Sequence, residues 1–160
     1  MLMPGLRVGF LLAEGPVYER LVSYKHASDL ATSTLIQRAL EAYVTVGRYQ
    51  AHLRRSCQIY RRRRDAMLQA INRHLPYEVQ VTRPQGGLFI WMRLPGNLPS
   101  DKLLPLAREE GVTFAPGSRF FLDSFDGQSY IRLNFVAQQP EDIEIGIKRL
   151  GKAMKRYVDI

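Results

Sequence analysis

The sequence predicts a mixed α/β (α+β) fold, in which a mostly antiparallel sheet of three to four strands is covered by helices. Between residues 48 and 74 the apolar side chains recur at steps of three and four, as on one face of a helix. From residue 77 the period changes to two, which is typical of strands. With 160 residues, 46% of them hydrophobic and 24% charged, the chain is long enough to bury a core and is not disordered.

The first part of the chain predicts one strand and three helices. Arg7 to Ala13 is apolar and strand-like, and a short helix over about 16–26 follows, with a proline in its first turn where proline is tolerated. A second helix opens at the N-cap candidates Thr32 to Thr34 and ends near Gly47. The long helix over about 48–74 carries the strongest periodic signal in the sequence.

The second part predicts the sheet and two further helices. Two alternating stretches, around Val79 to Val81 and over Leu88 to Leu94, flank a turn-like segment of Pro and Gly, so we expect them to pair antiparallel. The remaining predicted elements are a helix opened by Ser100 and closed by Gly111, a short strand over 112–115, a stronger strand over 130–136 and a last helix beginning at Pro140.

Arginine gives the chain an excess of positive charge. The 23 Lys and Arg residues, 18 of them arginine, exceed the 15 acids and set the net charge at +8. Such an excess of positive charge is compatible with three classes of binding partner, namely nucleic acids, phosphorylated ligands and acidic substrates. The run Arg61 to Arg64 lies in the long helix, where consecutive side chains point in different directions and cannot form one basic stripe. We expect Arg61 to Arg63 to be solvated and Arg64 to lie on the apolar face, which disfavours a nucleic-acid patch here.

Several site classes are disfavoured by simple counts. The single cysteine, Cys57, excludes an internal disulfide and a cysteine-based zinc site, and it is typical of cytoplasmic proteins. No apolar run approaches the roughly 20 residues that span a bilayer. The three histidines lack metal-ligand spacing, and no nucleophile-elbow, phosphate-loop or dinucleotide motif occurs. We therefore expect a cytoplasmic protein without a metal site.

Two arginines differ from the others because they lie in strand or turn contexts. Arg7 stands at the entrance of the first predicted strand, and Arg132 lies inside the apolar strand over 130–136. A charge inside an apolar strand is costly unless it is paired. Each guanidinium could form a structural ion pair with an acid of the same fold, or it could bind the carboxylate or phosphate of a ligand in a bidentate manner.

Five segments occur in order along the chain and carry a family resemblance. They are Met3–Gly9, Arg62–Met67, Arg83–Trp91, Phe114–Phe121 and Ile131–Phe135. Together they resemble the C-terminal half of the class I/II aminotransferases, which are fold type I enzymes that use pyridoxal 5'-phosphate. One segment alone is weak, but five in order are specific to the superfamily, and they cover essentially the whole chain.

The resemblance implies a domain division and roles for four residues. Residues 1–46 would be the tail of the large, cofactor-binding domain, and 47–160 would be the small C-terminal domain including the long connecting helix. Arg7 would grip the cofactor phosphate, and Arg132 would bind the α-carboxylate of the substrate. More weakly, Thr32 and Ser33 would reach the cofactor of a neighbouring subunit, which implies a homodimer.

The resemblance also implies a lysine that forms a Schiff base with the cofactor. This lysine would lie immediately upstream of Met1, and none of the five lysines stands in that context. We therefore expect a fragment with no catalytic residue of its own, inactive alone, from an enzyme that transfers an amino group between an amino acid and a 2-oxo acid.

An alternative function uses the same residues for sensing. The chain also resembles the aminotransferase-like domain of MocR-type regulators of the GntR family, especially over Ala51–Arg55 and Tyr60–Arg64. DNA would then be bound only through an N-terminal winged-helix domain that this chain lacks. A basic nucleic-acid module in its own right is the least favoured hypothesis, because the sequence has no recognition helix or aromatic RNA platform.

Overall fold

A computed structural model describes residues 4–158 of the chain. Residues 1–3, at the start of the first predicted domain, and residues 159–160, at the end of the second, lie outside the described residues. Residues 1–3 include Met3, the first residue of the first resembling segment. The chain divides into two compact units, one up to Cys57 and one from Gln58 onwards. The division falls within the longest helix.

The first unit is built from helices. A 3-10 turn at Pro4–Leu6 is followed by α1 (Pro16–Asp29), α2 (Thr34–Thr45) and the beginning of α3 (Arg48–His74). These confirm the three predicted helices. The prediction of a strand over Arg7 to Ala13 is wrong, because a strand needs a hydrogen-bonded neighbour and the four described strands pair only with one another.

The second unit contains an open four-stranded sheet with helices. Its strands lie in the order β1-β2-β4-β3, and every pairing is antiparallel. This confirms the predicted α/β (α+β) class with a mostly antiparallel sheet. The elements in chain order after α3 are β1 (Gln80–Thr82), β2 (Phe89–Arg93), α4 (Ser100–Glu109), β3 (Ala115–Pro116), β4 (Tyr130–Asn134) and α5 (Pro140–Val158).

The core of the second unit lies between one face of the sheet and the helices. Alternate residues of β2 and β4 point into it, because successive strand side chains face opposite sides. The helices contribute apolar stripes at helical spacing. Buried members of this core include Met67 and Ile71 of α3, Ile90 and Met92 of β2, Leu103 and Ala107 of α4, Ile131 and Leu133 of β4, and Ile147 and Leu150 of α5.

The arginine run in α3 is less uniform than the helical spacing predicts. Arg61 and Arg62 are exposed, whereas Arg63 is half-buried and donates from Nη1 to the carbonyl of Val136 after β4. The prediction that Arg63 is solvated is therefore wrong. Arg64 donates to the Asp65 carboxylate at 2.7 Å and to a loop carbonyl. Half of the run ties α3 to loops of its own unit, so it does not form a free basic surface.

Candidate functional site

The face of the sheet turned away from the core carries the candidate site of the second unit. Phe89 and Trp91 of β2 and Tyr130 and Arg132 of β4 alternate with buried residues of the same strands. The β2–β4 register places Trp91 directly opposite Arg132. Strand alternation therefore concentrates aromatic rings around one guanidinium.

Arg132 contacts two aromatic rings and has no acidic partner among residues 4–158. Its Cζ atom lies 4.1 Å from the ring centre of Phe89 and 4.1 Å from that of Phe120. Its Nε atom is buried and has no hydrogen-bond partner in the described part of the chain. No ion pair links Arg132 to an acid among residues 4–158, so the structural-pair hypothesis for this arginine finds no support there. The guanidinium therefore keeps in-plane donors for an external anion.

The loop between β3 and β4 places Phe120 over this face. A 3-10 turn at Gly117–Phe120 follows β3 directly. A Cβ atom on Gly117 would lie 2.5 Å from the carbonyl oxygen of Gly127, and one on Gly127 would lie 2.5 Å from the carbonyl oxygen of Gly117. Only glycine allows such an approach, so these two glycines let the two ends of the loop lie in close contact. Ser118 also ties the turn to α4, donating to Asp101 at 2.9 Å.

An aromatic cluster surrounds Trp91 beside the arginine. Its ring stacks on Tyr130 at 5.5 Å and on Phe121 at 6.0 Å, and it meets Phe120 edge-on at 5.8 Å. Sequence analysis missed these rings as part of the site. The signal was present for Phe89 and Trp91, because they alternate with the apolar core residues of β2. Phe120 and Phe121 lie between β3 and β4, where no strand periodicity indicates that they contact the outer face of the sheet.

Arg7 lies in the first unit, in an uncommon backbone conformation. It is exposed and has a φ of 53°, in the left-handed region that costs a non-glycine residue about 1 kcal/mol. Within the described part of the chain its guanidinium makes no hydrogen bond or ion pair. The preceding residue, Leu6, lines a cavity of about 480 Å³ together with Leu35 and Ile36 of α2. Among residues 4–158 Arg7 is thus an unpaired cation, and its neighbour in sequence, Leu6, lies beside the first turn of α2.

Thr32 and Ser33 stand just before that helix. Ser33 is the N-cap residue of α2, but its side chain makes no capping hydrogen bond. The carbonyl oxygens of Thr32 and Ser33 accept from the side chain and the backbone N–H of Gln37, at 2.9 and 3.1 Å. The Ser33 hydroxyl is therefore free of the capping role that its position predicts. Both residues belong to the first unit, as Arg7 does, whereas Arg132 belongs to the second.

All five lysines lie on helices. Lys25 is on α1, where it pairs with Asp29, and Lys102 is on α4. The other three, Lys148, Lys152 and Lys155, are on α5, which packs on the core side of the sheet. Since Arg132 projects from the opposite side of β4, the α5 lysines and Arg132 are separated by the sheet of their own unit.

Ionic contacts between α4 and α5 perturb one carboxylate. Glu110, at the end of α4, accepts from Lys152 at 2.8 Å and from Arg156 at 2.8 Å. These two hydrogen bonds hold the pKa of Glu110 below its ordinary value of 4.5. Hydrogen bonds to Glu110 and, second, to Glu109 raise the pKa of Arg156. Because these groups sit on the helical layer, they act on stability and not on the aromatic face.

Among residues 4–158 no helix is both long and apolar enough to cross a bilayer. In the same range no three side chains of the His, Cys, Asp and Glu types come together as metal ligands would.

Two kinds of relative share most of this sequence. Over 155 residues the chain is 39% identical to 2-aminoadipate transaminase of Thermus thermophilus. This alignment covers 97% of the chain and 38% of that protein. It is 32% identical to YdfD of Bacillus subtilis, an uncharacterised HTH-type transcriptional regulator, over 96% of the chain and 31% of that protein. The chain thus spans less than two fifths of the length of either relative.

The fold and the family agree with these relatives. The structure matches that of LysN, an α-aminoadipate aminotransferase of Thermus thermophilus complexed with N-(5'-phosphopyridoxyl)-L-leucine, with a TM-score of 0.82 and 38% identity. The match covers 98% of this chain and 40% of that one. The sequence profile of the class I and II aminotransferases matches residues 1–150. Because this profile matches nearly the whole length of the chain, the chain belongs to the class I and II aminotransferase family.

Proposed function

We propose that the chain is the C-terminal part of a pyridoxal-phosphate-dependent aminotransferase that transfers an amino group between an amino acid and a 2-oxo acid. Residues 1–46 would complete the large, cofactor-binding domain, and 47–160 would form the small domain. The observation that carries the proposal is Arg132, a guanidinium in an apolar strand whose Nε is buried without a partner. Such a group is costly unless an anion comes to it.

Arg132 fits the α-carboxylate that amino acids and 2-oxo acids share. A carboxylate is planar and accepts two parallel N–H bonds from a guanidinium, which fixes both its position and its orientation. The surrounding rings of Phe89, Trp91 and Phe120 keep water away from one side of the ion pair, which strengthens it. Arg132 therefore binds the common end of both substrates, and the variable side chain lies elsewhere.

The residues of the first unit fit a phosphate group. Arg7 offers an exposed guanidinium with no described partner, and the Ser33 hydroxyl is not used for capping. Together with Thr32, these are the donor types that bind phosphate oxygens. Arg7 would bind the cofactor phosphate within its own subunit, and Thr32 and Ser33 would reach the cofactor of a second subunit in a homodimer. When bound, pyridoxal phosphate supplies an electron sink for the bonds at the substrate α-carbon.

The lysine required for this chemistry would come from outside the 160 residues. The α5 lysines lie across the sheet from Arg132, and Lys25 is engaged with Asp29. A carboxylate held by Arg132 is therefore separated from the three α5 amines by the sheet. The chain by itself is expected to bind carboxylates but to transfer no amino group.

Carboxylate binding by Arg132 is tested by NMR on the 160-residue chain labelled with 15N-arginine. Titration with pyruvate should shift the Nε–Hε peak of Arg132 saturably, because the ligand supplies the missing in-plane acceptor. Arg132→Lys identifies the peak and should abolish saturable binding. Arg108→Gln, which removes an exposed arginine of α4, should leave it unchanged. A wild-type chain that does not respond to pyruvate contradicts the carboxylate role.

Inactivity of the isolated chain is tested directly. The chain is mixed with pyridoxal phosphate, an amino acid and a 2-oxo acid, and the new amino acid is measured by chromatography. No product above the cofactor-only control is expected, since free cofactor is a weak catalyst without a positioned lysine. Product formed in proportion to the chain would show that one of the five lysines serves, and replacement of each by Arg would identify it.

A ligand-sensing regulator is the second candidate, favoured by the identity with YdfD over 96% of the chain. In that function the same arginines would hold the cofactor and an effector, and DNA would be bound by a separate winged-helix domain. The enzyme is preferred because the transaminase relative shares more identity, 39% against 32%. The complete reading frame decides between them: a winged-helix segment at its start supports the regulator.

A further inference from the structure

Two aromatic rings, those of Phe89 and Phe120, contact the Arg132 guanidinium. The distances from Cζ to the ring centres of Phe89 and Phe120 are equal, at 4.1 Å, well inside the roughly 6 Å within which a cation is attracted to a ring face. The two rings come from different segments. Phe89 lies on β2, two residues along from Trp91, which stands opposite Arg132, and Phe120 closes the 3-10 turn after β3.

The two ring contacts do not replace a hydrogen-bond acceptor. All five N–H groups of the guanidinium lie in one plane, and an acceptor approaches them within that plane. The buried Nε has no such acceptor among the described residues. An in-plane, bidentate acceptor is the ligand that such a group still needs.

The geometry points to Phe89 and Phe120 as positioning residues, which fix the plane of Arg132 so that its N–H edge is presented to a carboxylate. This inference rests on the carboxylate role proposed for Arg132. An arginine normally has several free torsions, and ordering them on binding lowers affinity. The two rings order the Arg132 side chain before a ligand binds. They thereby do what an acidic residue paired with Arg132 would otherwise do.

The surrounding structure holds the rings in turn. The Phe120 ring meets Trp91 edge-on at an interplanar angle of 85°, and Trp91 stands directly opposite Arg132 in the sheet. Phe121 provides a matched control, because it comes from the same loop and stacks on Trp91, but its ring is not one of the two over the guanidinium.

The inference is tested on the 160-residue chain with 15N-arginine labelling and two measurements. The first is the position of the Arg132 Hε signal without ligand, which the ring currents of the two neighbouring rings should move upfield of the other arginines. The second is the affinity for pyruvate. Phe89→Leu and Phe120→Leu, which keep apolar bulk, should each return Hε toward the ordinary range and weaken pyruvate binding by about fivefold.

Two further variants separate positioning from general folding. Phe89→Tyr keeps a ring face and should retain both the shifted signal and the affinity. Phe121→Leu should also retain them. The inference is overturned if the wild type binds pyruvate and both leucine variants bind it equally well, or if Phe121→Leu weakens binding as much as they do. If the wild type binds no pyruvate, the carboxylate role fails and the positioning role fails with it, even where Hε is shifted.

Discussion

The helices of the first unit and the sheet of the second differ in what covers their apolar side chains. In the second unit Ile90, Met92 and Ile131 are fully buried in a single core. In the described part of the first unit no residue is buried, and Phe10 and Leu35 are 93% and 80% exposed. Both units nevertheless have regular helices.

This difference separates local structure from stability. Helix α1 begins with a proline in its first turn, and α2 has an amphipathic spacing, and both of these are local signals. Burial of apolar surface is the main favourable term in folding, and it is concentrated in the second unit. The apolar cavity lined by Leu35, Ile36 and Tyr43 in the first unit shows a face that its own elements do not fill. Stability should therefore depend on the second unit.

Truncation of one phenylalanine in each unit should give the largest contrast. Phe135→Ala removes a side chain that is 2% exposed in the core and should lower the free energy of unfolding by about 4 kcal/mol. Phe10→Ala, at 93% exposure, should change it by less than about 0.5 kcal/mol. Urea unfolding followed by circular dichroism measures both. Equal effects would mean that the first unit contributes to the same core.

Addition of one methyl group should give a smaller contrast. Gly127→Ala forces its Cβ to within 2.5 Å of the Gly117 carbonyl oxygen, and should destabilise the chain by about 2 kcal/mol. Gly9→Ala in the first unit meets nothing within 4 Å and should be neutral. Thermal unfolding measures the difference. A stable Gly127→Ala variant would show that the loop carrying Phe120 can open without cost.

A pH-dependent ion pair should give the smallest contrast. The pKa of Glu110 is lowered by Lys152 and Arg156, so the carboxylate stabilises the fold above its ordinary pKa of 4.5, and this contribution is lost as pH falls through the lowered value. Glu110→Gln should lower Tm by about 2 °C near pH 7 and have no effect in strong acid. Glu41→Gln, which breaks an exposed pair on α2, should leave Tm unchanged at either pH. A constant Tm difference would exclude ionisation as its cause.

The sequence patterns predicted the elements well where the signal is local. The long helix was expected over 48–74 and spans Arg48–His74, because its apolar period is unbroken. Arg132 was singled out because a charge inside an apolar strand is unusual. The prediction of a strand over residues 7–13 is wrong for a different reason. A strand forms only where a neighbouring strand pairs with it, and the sequence alone does not reveal whether such a neighbour is present.

Contacts between distant segments could not be predicted in the same way. Phe120 reaches Arg132 because Gly117 and Gly127 let two loop segments meet, and no periodicity marks that approach. Arg63 lies on the exposed side of its helix by spacing alone, yet its Nε is buried and its Nη1 donates to a carbonyl of the segment after β4. In both cases the deciding partner is far away in the sequence.

The chain has a single tryptophan, Trp91, and it lies at the centre of the aromatic cluster in the second unit. Its emission therefore reports the surroundings of one sheet face, whereas the far-ultraviolet circular dichroism of the chain includes the helices of both units. A denaturation curve followed by fluorescence describes the second unit, and any helical signal that disappears earlier belongs to the first. One ordinary side chain thus lets two standard optical probes resolve the unequal halves of this protein without any label.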